Sequence, residues 1–265
     1  MACCKKTKSC AKPVTVLTDA QKPFPRVCAH RGFKSVAPDN SFPAFATAVS
    51  LGADEIEFGL WYTADGVVAC VAEPDISLIS NGTGMVWDLT FDDLQKYDFG
   101  SIFSKEYAGL TPMTFEAILQ QFARRVVMNI FIGVAGEVGD REKEMLTKII
   151  ALIDCYDCRD FVYLTSASAD LLKQARALDK NISLCFCQTD DTPCDAVQVA
   201  VDCDCKRVQF STVYANAERV ETAHKAGLKC GIYCTNTPAE AKDALALGAD
   251  TLLTDDYYQV VRAVK

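Results

Sequence analysis

Short apolar runs alternate with amphipathic stretches along most of this chain. The apolar runs have the length of buried strands and are bounded by turn residues. We predict eight strands, at residues 26–30, 54–60, 67–72, 126–132, 161–165, 182–187, 207–210 and 229–234. Between most of them, apolar residues recur at helical spacing. This pattern predicts helices at about residues 142–154, 168–178, 216–226 and 238–247.

Polar residues mark the starts of two further helices. Ser41 precedes an apolar stripe that begins with Phe42 and Phe45, and Thr114 precedes one that begins with Phe115. A serine or threonine before a helix accepts a hydrogen bond from a free backbone N–H of the first turn. Both positions therefore predict helix N-termini.

The alternation of strands and helices predicts an α/β protein with one (β/α)8 barrel domain. The sequence Leu-Gly-Ala-Asp occurs at residues 51–54 and again at 247–250, each time between a helix and an apolar run. Only residues 61–66 separate the second and third predicted strands, so an extended loop or a hairpin must join them. We expect the barrel to span residues 23–265. Residues 1–22 are polar, basic and without periodicity, which predicts a disordered tail.

Composition and charge narrow the range of partners. The chain has 265 residues, and 50% of them are hydrophobic, which is enough for a large core. Its formal net charge of -8 argues against a nucleic-acid partner. No apolar run approaches the roughly 18 residues of a membrane span. A small molecule is the expected partner, and the oligomeric state stays open.

The chain contains 14 cysteines, and their positions matter more than their number. Six lie in predicted strands, where cysteine serves as a small hydrophobic residue: Cys28, Cys70, Cys185, Cys187, Cys230 and Cys234. A single Cys-x-x-Cys, at residues 155–158, is a weak metal signal. We expect mostly reduced thiols and a reducing compartment such as the cytoplasm. The cysteines near the start of the chain allow an alternative interpretation, in which the protein is lipid-anchored or exported and its signal was removed.

Candidate chemistry begins with His30-Arg31-Gly32, at the end of the first predicted strand. In a (β/α)8 barrel the functional side chains lie at the carboxyl ends of the strands. Glu57 and Gly59 share one face of the second predicted strand. Along the fourth predicted strand, every second residue lies on the same face, and Phe131 belongs to one such set. These positions should therefore meet around one mouth.

An ordered series of motifs resembles the glycerophosphodiester phosphodiesterase family from about residue 26 to 262. The motifs are His30-Arg31-Gly32, residues 37–41, 52–54 with Glu57, 65–66, 81–84, 88–90, 223–228, Asn236 and 253–255. The resemblance implies a (β/α)8 barrel that cleaves glycerophosphodiesters to glycerol 3-phosphate and an alcohol. It also implies two catalytic histidines and a calcium or magnesium ion held by three carboxylates.

The resemblance assigns roles to some residues and finds others replaced. His30 and Arg31 match the first catalytic histidine and a phosphate-contacting arginine, and Glu57 matches the first metal carboxylate. The second and third metal carboxylates fall on Gly59 and Phe131. Glu57 alone would hold a hard dication weakly, because such ions want about six oxygen ligands. We therefore expect no resident cofactor, with weak Ca²⁺ or Mg²⁺ binding if the protein is active.

Other departures concern the phosphate and proton chemistry. The second catalytic histidine falls on Ala72, which Glu73 follows, and a phosphate-facing lysine falls on Gly133. The acid of a Pro-Glu-Asn motif is shortened to Asp39. Loss of a second acid–base group typically costs about 10²- to 10⁴-fold in rate. Standard hydrolysis is therefore expected to be lost.

Three functional interpretations stay open. The first is a non-catalytic family member that binds a phosphate- or polyol-containing small molecule through His30, Arg31 and Asn236, with Phe131 in an apolar mouth, or that binds a partner protein. The second is an active or weakly active phosphodiesterase with an altered site. The third is a cysteine-based metal or redox protein on the same fold.

Several of these residues have alternative interpretations. His30 could be a structural residue bound to the loop backbone, and His224 is expected to be structural because it lies in a predicted helix away from the strand ends. Glu55, Glu73 and Asp75 could instead form a shifted metal site.

Overall fold

The computed structural model describes residues 16–191 and 193–264. The strands within them are β1 (Arg26–Ala29), β2 (Glu55–Tyr62), β3 (Val68–Cys70), β4 (Met113–Thr114), β5 (Val127–Ile132), β6 (Val162–Ser166), β7 (Leu184–Gln188), β8 (Arg207–Ser211), β9 (Lys229–Tyr233) and β10 (Thr251–Thr254). The helices are α1 (Phe42–Ser50), α2 (Phe91–Leu94), α3 (Phe115–Phe122), α4 (Asp140–Cys155), α5 (Ala169–Leu178), α6 (Ala196–Asp202), α7 (Ala217–Lys225), α8 (Pro238–Ala246) and α9 (Tyr257–Val264).

Eight parallel strands close into a barrel. Going round it, the order is β1, β10, β9, β8, β7, β6, β5 and β2, and β2 pairs with β1 to complete the ring. Helices lie between successive strands and pack their apolar faces against them. The prediction of a (β/α)8 barrel is confirmed.

One predicted barrel strand was wrong, and one was missed. The segment predicted at 67–72 forms β3, which pairs antiparallel with β2, so that Leu60 lies opposite Cys70. The connection is a hairpin, one of the two alternatives left open for the short spacer, because a parallel crossover needs a dozen or more residues. The eighth barrel strand is β10, which pairs in parallel with β1 and β9.

The predicted helix starts are confirmed by their caps. The Ser41 hydroxyl accepts a hydrogen bond from the Ala44 N–H, and the Thr114 hydroxyl accepts one from the Ala117 N–H. The helices predicted from periodicity correspond to α4, α5, α7 and α8. Two helices that pack in the barrel's outer layer, α6 and α9, were not predicted.

An insertion of about forty residues lies between β3 and β4, at the carboxyl end of the barrel. It has a small core of its own, made of Ala69, Val71, Ile76, Val86 and Leu94. Trp61 from the end of β2 packs against this cluster. The insertion therefore forms a wall beside the barrel mouth.

The opposite end of the barrel contains buried charges. Arg26 is fully buried and pairs with Glu55 at 2.9 Å and with Asp19 at 2.5 Å. The Asp19 carboxylate also pairs with Arg207. Of the predicted tail, residues 1–15 lie outside the described residues, whereas Asp19 contacts the barrel. Disorder of the remaining tail stays a prediction.

Most cysteines of the strands are buried, as expected. Cys28, Cys70, Cys185 and Cys230 are at most 2% exposed. Cys234 is half-buried and follows the end of β9. No disulfide joins cysteines of the described part of the chain. Across residues 16–191 and 193–264, none of the helices combines the length and apolar character needed to span a bilayer.

Candidate functional site

A cavity of about 250 Å³ opens at the carboxyl ends of the barrel strands. The residues around it come from five strands, from the loops that follow them and from the insertion. They are His30, Arg31, Glu57, Gly59, Trp61, Ala72, Glu73, Phe131, Cys187, Thr189, Gln209 and Tyr233. The sequence-predicted residues His30, Arg31, Glu57 and Phe131 therefore meet at one mouth, whereas Asn236 does not line it.

His30 is held by a carboxylate and faces a thiol. Its Nδ1 lies 2.7 Å from Asp255 Oδ1 and 3.3 Å from Cys234 Sγ, while its Nε2 lies 3.9 Å from Glu57 Oε2. Burial by itself would lower the pKa of this imidazole. The hydrogen bonds to Asp255 and Cys234 and the charge of Glu57 outweigh burial and raise the pKa of His30 to about 9.

The Asp255 carboxylate connects His30 to two further polar side chains. Its Oδ1 also pairs with Lys34 Nζ at 3.0 Å, and its Oδ2 accepts a hydrogen bond from Asn236 Nδ2 at 3.0 Å. The Asn236 side-chain oxygen accepts the Asp255 backbone N–H in return. Burial would raise the pKa of Asp255, but His30 and Lys34 hold it well below its usual range. Asn236 thus positions Asp255.

Arg31 adopts a left-handed backbone conformation, with φ of 58°. This turn directs its N–H to Glu57 Oε2 at 2.9 Å. The Arg31 guanidinium pairs with Glu73 at 2.8 Å and with Asp39 at 3.2 Å. Arg31 therefore lines the cavity as a cation that two carboxylates already hold in place.

Comparison with known proteins identifies the family of this chain. The family model described as "Glycerophosphoryl diester phosphodiesterase family" matches residues 30–258. The chain belongs to this family. It is 25% identical over 245 residues to a glycerophosphodiester phosphodiesterase of Caldanaerobacter subterraneus subsp. tengcongensis, an alignment that covers 90% of this chain and 97% of the relative. A Bacillus altitudinis glycerophosphodiester phosphodiesterase is 26% identical over 237 residues, which are 87% of this chain and 94% of that protein.

A solved structure has the same fold. An Oleispira antarctica phosphodiesterase, in complex with the product sn-glycerol-3-phosphate, superimposes with a TM-score of 0.84. The match covers 91% of this chain and 97% of that chain at 20% identity. At this identity the likeness shows the fold.

The three positions at which the resemblance implies metal carboxylates carry one carboxylate, a glycine and a phenylalanine. The carboxylate is Glu57, and one of its oxygens is bonded to the Arg31 N–H. Gly59 leaves little room for a side chain, because a Cβ there would lie 3.2 Å from the Val71 carbonyl oxygen and 3.4 Å from Asn40 Nδ2. Phe131 supplies a ring in place of oxygens. This donor set does not fit a hard dication.

The second histidine of the chain lies away from the cavity. The chain contains two histidines. Ala72, at which the resemblance implies a second catalytic histidine, lines the cavity. His224 lies at the other end of the barrel, where its Nε2 is 2.8 Å from Asp250 Oδ2. His30 is therefore the imidazole of this mouth.

Gly133, at which the resemblance implies a phosphate-facing lysine, is covered by an aromatic ring. A Cβ at Gly133 would lie 2.5 Å from three carbon atoms of the Trp61 indole. The Trp61 ring packs in turn against Trp87, with ring centroids 5.8 Å apart. Trp61 and Phe131 make this part of the mouth apolar.

The three acids considered for a shifted metal site do not come together. Glu55 pairs with Arg26 and accepts the Tyr163 hydroxyl at 2.6 Å, at the closed end of the barrel. Asp75 accepts a hydrogen bond from the Ser77 N–H at a turn of the insertion. Glu73 alone faces the cavity.

Sequence reasoning missed three residues beside His30: Asp255, Cys234 and Lys34. Asp255 had a usable signal, because it follows a short apolar run as His30 does, and residues after barrel strands meet at one edge. Cys234 was interpreted as a core cysteine. Lys34 had no signal, because its contact with Asp255 depends on a loop conformation.

Proposed function

We propose that this family member has lost the standard metal-dependent hydrolysis of glycerophosphodiesters and binds a phosphate- or polyol-containing small molecule in the mouth of the barrel. The observation that carries the proposal is the state of the three metal positions. One is Glu57, with an oxygen engaged by Arg31, and the others are Gly59 and Phe131. Without the ion, charge that develops on the phosphoryl group loses its main electrostatic partner.

The groups that remain suit recognition of a small polar ligand. At neutral pH, His30 carries a proton, and it lines the cavity together with Arg31. Both can donate to phosphate oxygens, and Arg31 can do so with a planar fork. The Glu57 carboxylate, which also lines the cavity, can accept hydrogen bonds from hydroxyl groups of a ligand. The relative from Oleispira antarctica holds sn-glycerol-3-phosphate in a barrel of the same fold, which makes this compound the first ligand to test.

One observation favours the alternative, a weakly active phosphodiesterase. His30 keeps a hydrogen-bonded carboxylate partner, Asp255, at 2.7 Å, which is the arrangement that orients a general acid or base. The two functions differ in what they require of a metal, because only the standard reaction needs calcium or magnesium.

Two measurements on the purified protein separate these functions. Hydrolysis of glycerophosphocholine is assayed with added calcium or magnesium and again with a chelator, and His30→Ala serves as the control for contaminating enzyme. We expect no hydrolysis that depends both on the metal and on His30. Calorimetric titration with sn-glycerol-3-phosphate should show binding that weakens in Arg31→Ala. Rapid hydrolysis that a chelator abolishes and His30→Ala lacks would overturn the proposal.

A further inference from the structure

Three side chains of different chemistry converge beside the cavity. Each of His30, Cys234 and Asp255 offers a ligand atom within 4.8 Å of the other two, and His30 Nδ1 lies 2.7 Å from Asp255 Oδ1 and 3.3 Å from Cys234 Sγ. They come from the ends of β1, β9 and β10, which are neighbours in the barrel. We propose that His30, Cys234 and Asp255 form a site for a thiophilic divalent metal ion, with zinc as the ion it suits best. Its ligands differ from the family's carboxylate set.

The donor set matches the preferences of zinc. Zinc binds thiolate, imidazole and carboxylate in tetrahedral geometry, and three protein ligands leave a fourth position open. Calcium and magnesium require oxygen ligands and would not select a thiol. With the thiol deprotonated and the imidazole neutral, Cys234 and Asp255 together balance the two charges of the ion. The cluster is therefore selective for a softer metal.

The distances require only a small adjustment. Around a tetrahedral zinc ion, neighbouring nitrogen and oxygen ligands lie roughly 3.3 Å apart, and nitrogen and sulfur roughly 3.5 Å, given the usual bond lengths. The present separations are 2.7 Å between His30 and Asp255 and 3.3 Å between His30 and Cys234. An ion would need the first pair to open by about half an ångström, which is a small side-chain movement.

The surrounding groups already support the ligands. Metal sites usually hold their carboxylates and the second nitrogen of each histidine through outer hydrogen bonds. Asn236 donates to the Asp255 oxygen that faces away from His30, and Lys34 pairs with the nearer one. Glu57 lies 3.9 Å from His30 Nε2, close enough to attract the ring electrostatically. Asn236 therefore already orients the Asp255 carboxylate, and an ion bound at its nearer oxygen would replace the Lys34 contact there.

A second cluster with the same residue types shows the contrast. His224, Cys230 and Asp250 also lie within 4.8 Å of one another, at the opposite end of the barrel. There Asp250 Oδ2 bonds both the His224 ring and the Cys230 backbone N–H. The Cys230 thiol is fully buried and donates to the Val220 carbonyl oxygen at 3.8 Å, while the His224 side chain is 38% exposed. We therefore assign this second cluster a structural role.

Cobalt, a coloured substitute for zinc, tests the site. The full-length protein is reduced and freed of metal, with Cys3, Cys4 and Cys10 replaced by serine in every sample so that they cannot contribute a thiolate. We expect one equivalent of Co²⁺ to give tetrahedral visible absorption together with a sulfur-to-cobalt charge-transfer band. Zinc should displace the cobalt and remove both signals.

Variants assign the ligands. Cys234→Ser should abolish the charge-transfer band, while Cys194→Ser, at another half-buried cysteine, should keep it. Asn236→Ala, which removes an outer partner of Asp255, should weaken zinc binding about 10- to 100-fold.

A spectroscopic measurement keeps the proposal testable if Cys234→Ser does not fold. X-ray absorption of the zinc-loaded protein should show one sulfur at about 2.3 Å. A shell of nitrogen and oxygen only, an unchanged charge-transfer band in Cys234→Ser, or failure to bind Co²⁺ would each overturn the proposal. None of these readouts depends on whether the cavity binds a polyol phosphate or on hydrolysis.

Discussion

The indole of Trp61 occupies the space that a side chain at Gly133 would need. An added Cβ would meet three ring carbons at 2.5 Å, a distance at which atoms cannot remain in place. Trp61 is packed against Trp87 and the core of the insertion, so the ring cannot simply swing away. The two positions therefore fit each other, and a side chain at position 133 requires the Trp61 ring to move.

This fit predicts a strong coupling between the two positions. Gly133→Lys should lower the free energy of unfolding by about 1–3 kcal/mol, because overpacking forces neighbouring groups to move. In a Trp61→Ala background the same substitution should cost clearly less. Urea unfolding of the four proteins of this double-mutant cycle measures the coupling. Equal costs in both backgrounds would show that the ring does not constrain position 133.

A second prediction concerns calcium and magnesium. A ligand that binds only the folded state stabilises it by about 2.7 kcal/mol at a hundredfold excess over its dissociation constant. We expect millimolar calcium or magnesium to leave the melting temperature of the natural chain unchanged, because Glu57 is the one carboxylate of the family's metal set. The double variant Gly59→Asp with Phe131→Glu should acquire calcium-dependent stabilisation.

The comparison between these variants isolates the cause. Phe131→Glu alone should respond less than the double variant, because two carboxylates hold the ion less well than three. Gly59→Asp alone should lose stability, since its Cβ would lie 3.2 Å from the Val71 carbonyl oxygen. Strong calcium stabilisation of the natural chain would mean that other oxygens complete the site.

The barrel could be predicted from sequence because its signals are local. Strand-length apolar runs and capped helices recur along the chain, and residues 61–66 are too few for a crossover, which already required a hairpin or an extended loop. The strand β10, Thr251–Thr254, was missed although an apolar run follows residue 250, because the eight predicted strands already included the hairpin strand β3. The helix α6 was missed because its valines alternate as they would in a strand.

The site was predicted in part, for a physical reason. His30, Arg31 and Glu57 follow the rule that side chains at the carboxyl ends of barrel strands converge. The contact of Cys234 with His30 joins residues 204 positions apart, and its geometry depends on how β9 ends. The filling of position 133 by Trp61 depends on side-chain packing, which sequence pattern does not encode.

At the closed end of the barrel, Asp19 is expected to contribute substantially to stability. Its carboxylate pairs with Arg26 and Arg207, whose side chains are 0% and 8% exposed. Asp19→Ala would leave both buried guanidinium groups without this partner, and breaking such buried pairs costs about 3–5 kcal/mol. We expect the free energy of unfolding to fall by an amount near the lower end of this range, because Glu55 still pairs with Arg26. Chemical denaturation measures the difference.

The matched control is an exposed ion pair. Arg124 and Asp157 form a surface pair at 2.8 Å, with side chains 57% and 86% exposed. Asp157→Ala should change the free energy of unfolding by less than about 1 kcal/mol, as exposed pairs do. If Asp19→Ala were equally mild, the segment before β1 would not be anchored through its carboxylate.

The last prediction concerns pH and the protonation of His30. The pKa of His30 is raised from 6.5 to about 9 in the folded protein. Because the folded state holds this proton more tightly than the unfolded state, the stabilisation is fully present below about pH 6.5 and is lost as the pH rises through about 9. The difference of about 2.5 pKa units corresponds to about 3 kcal/mol at most. The metal-free protein should therefore lose stability between about pH 7 and 10, whereas His30→Gln should lose less over the same range. Thiols and lysines titrate there in both proteins, so the difference between the two unfolding curves isolates His30. Parallel curves would show that Asp255 and Glu57 do not hold the imidazole in its charged form.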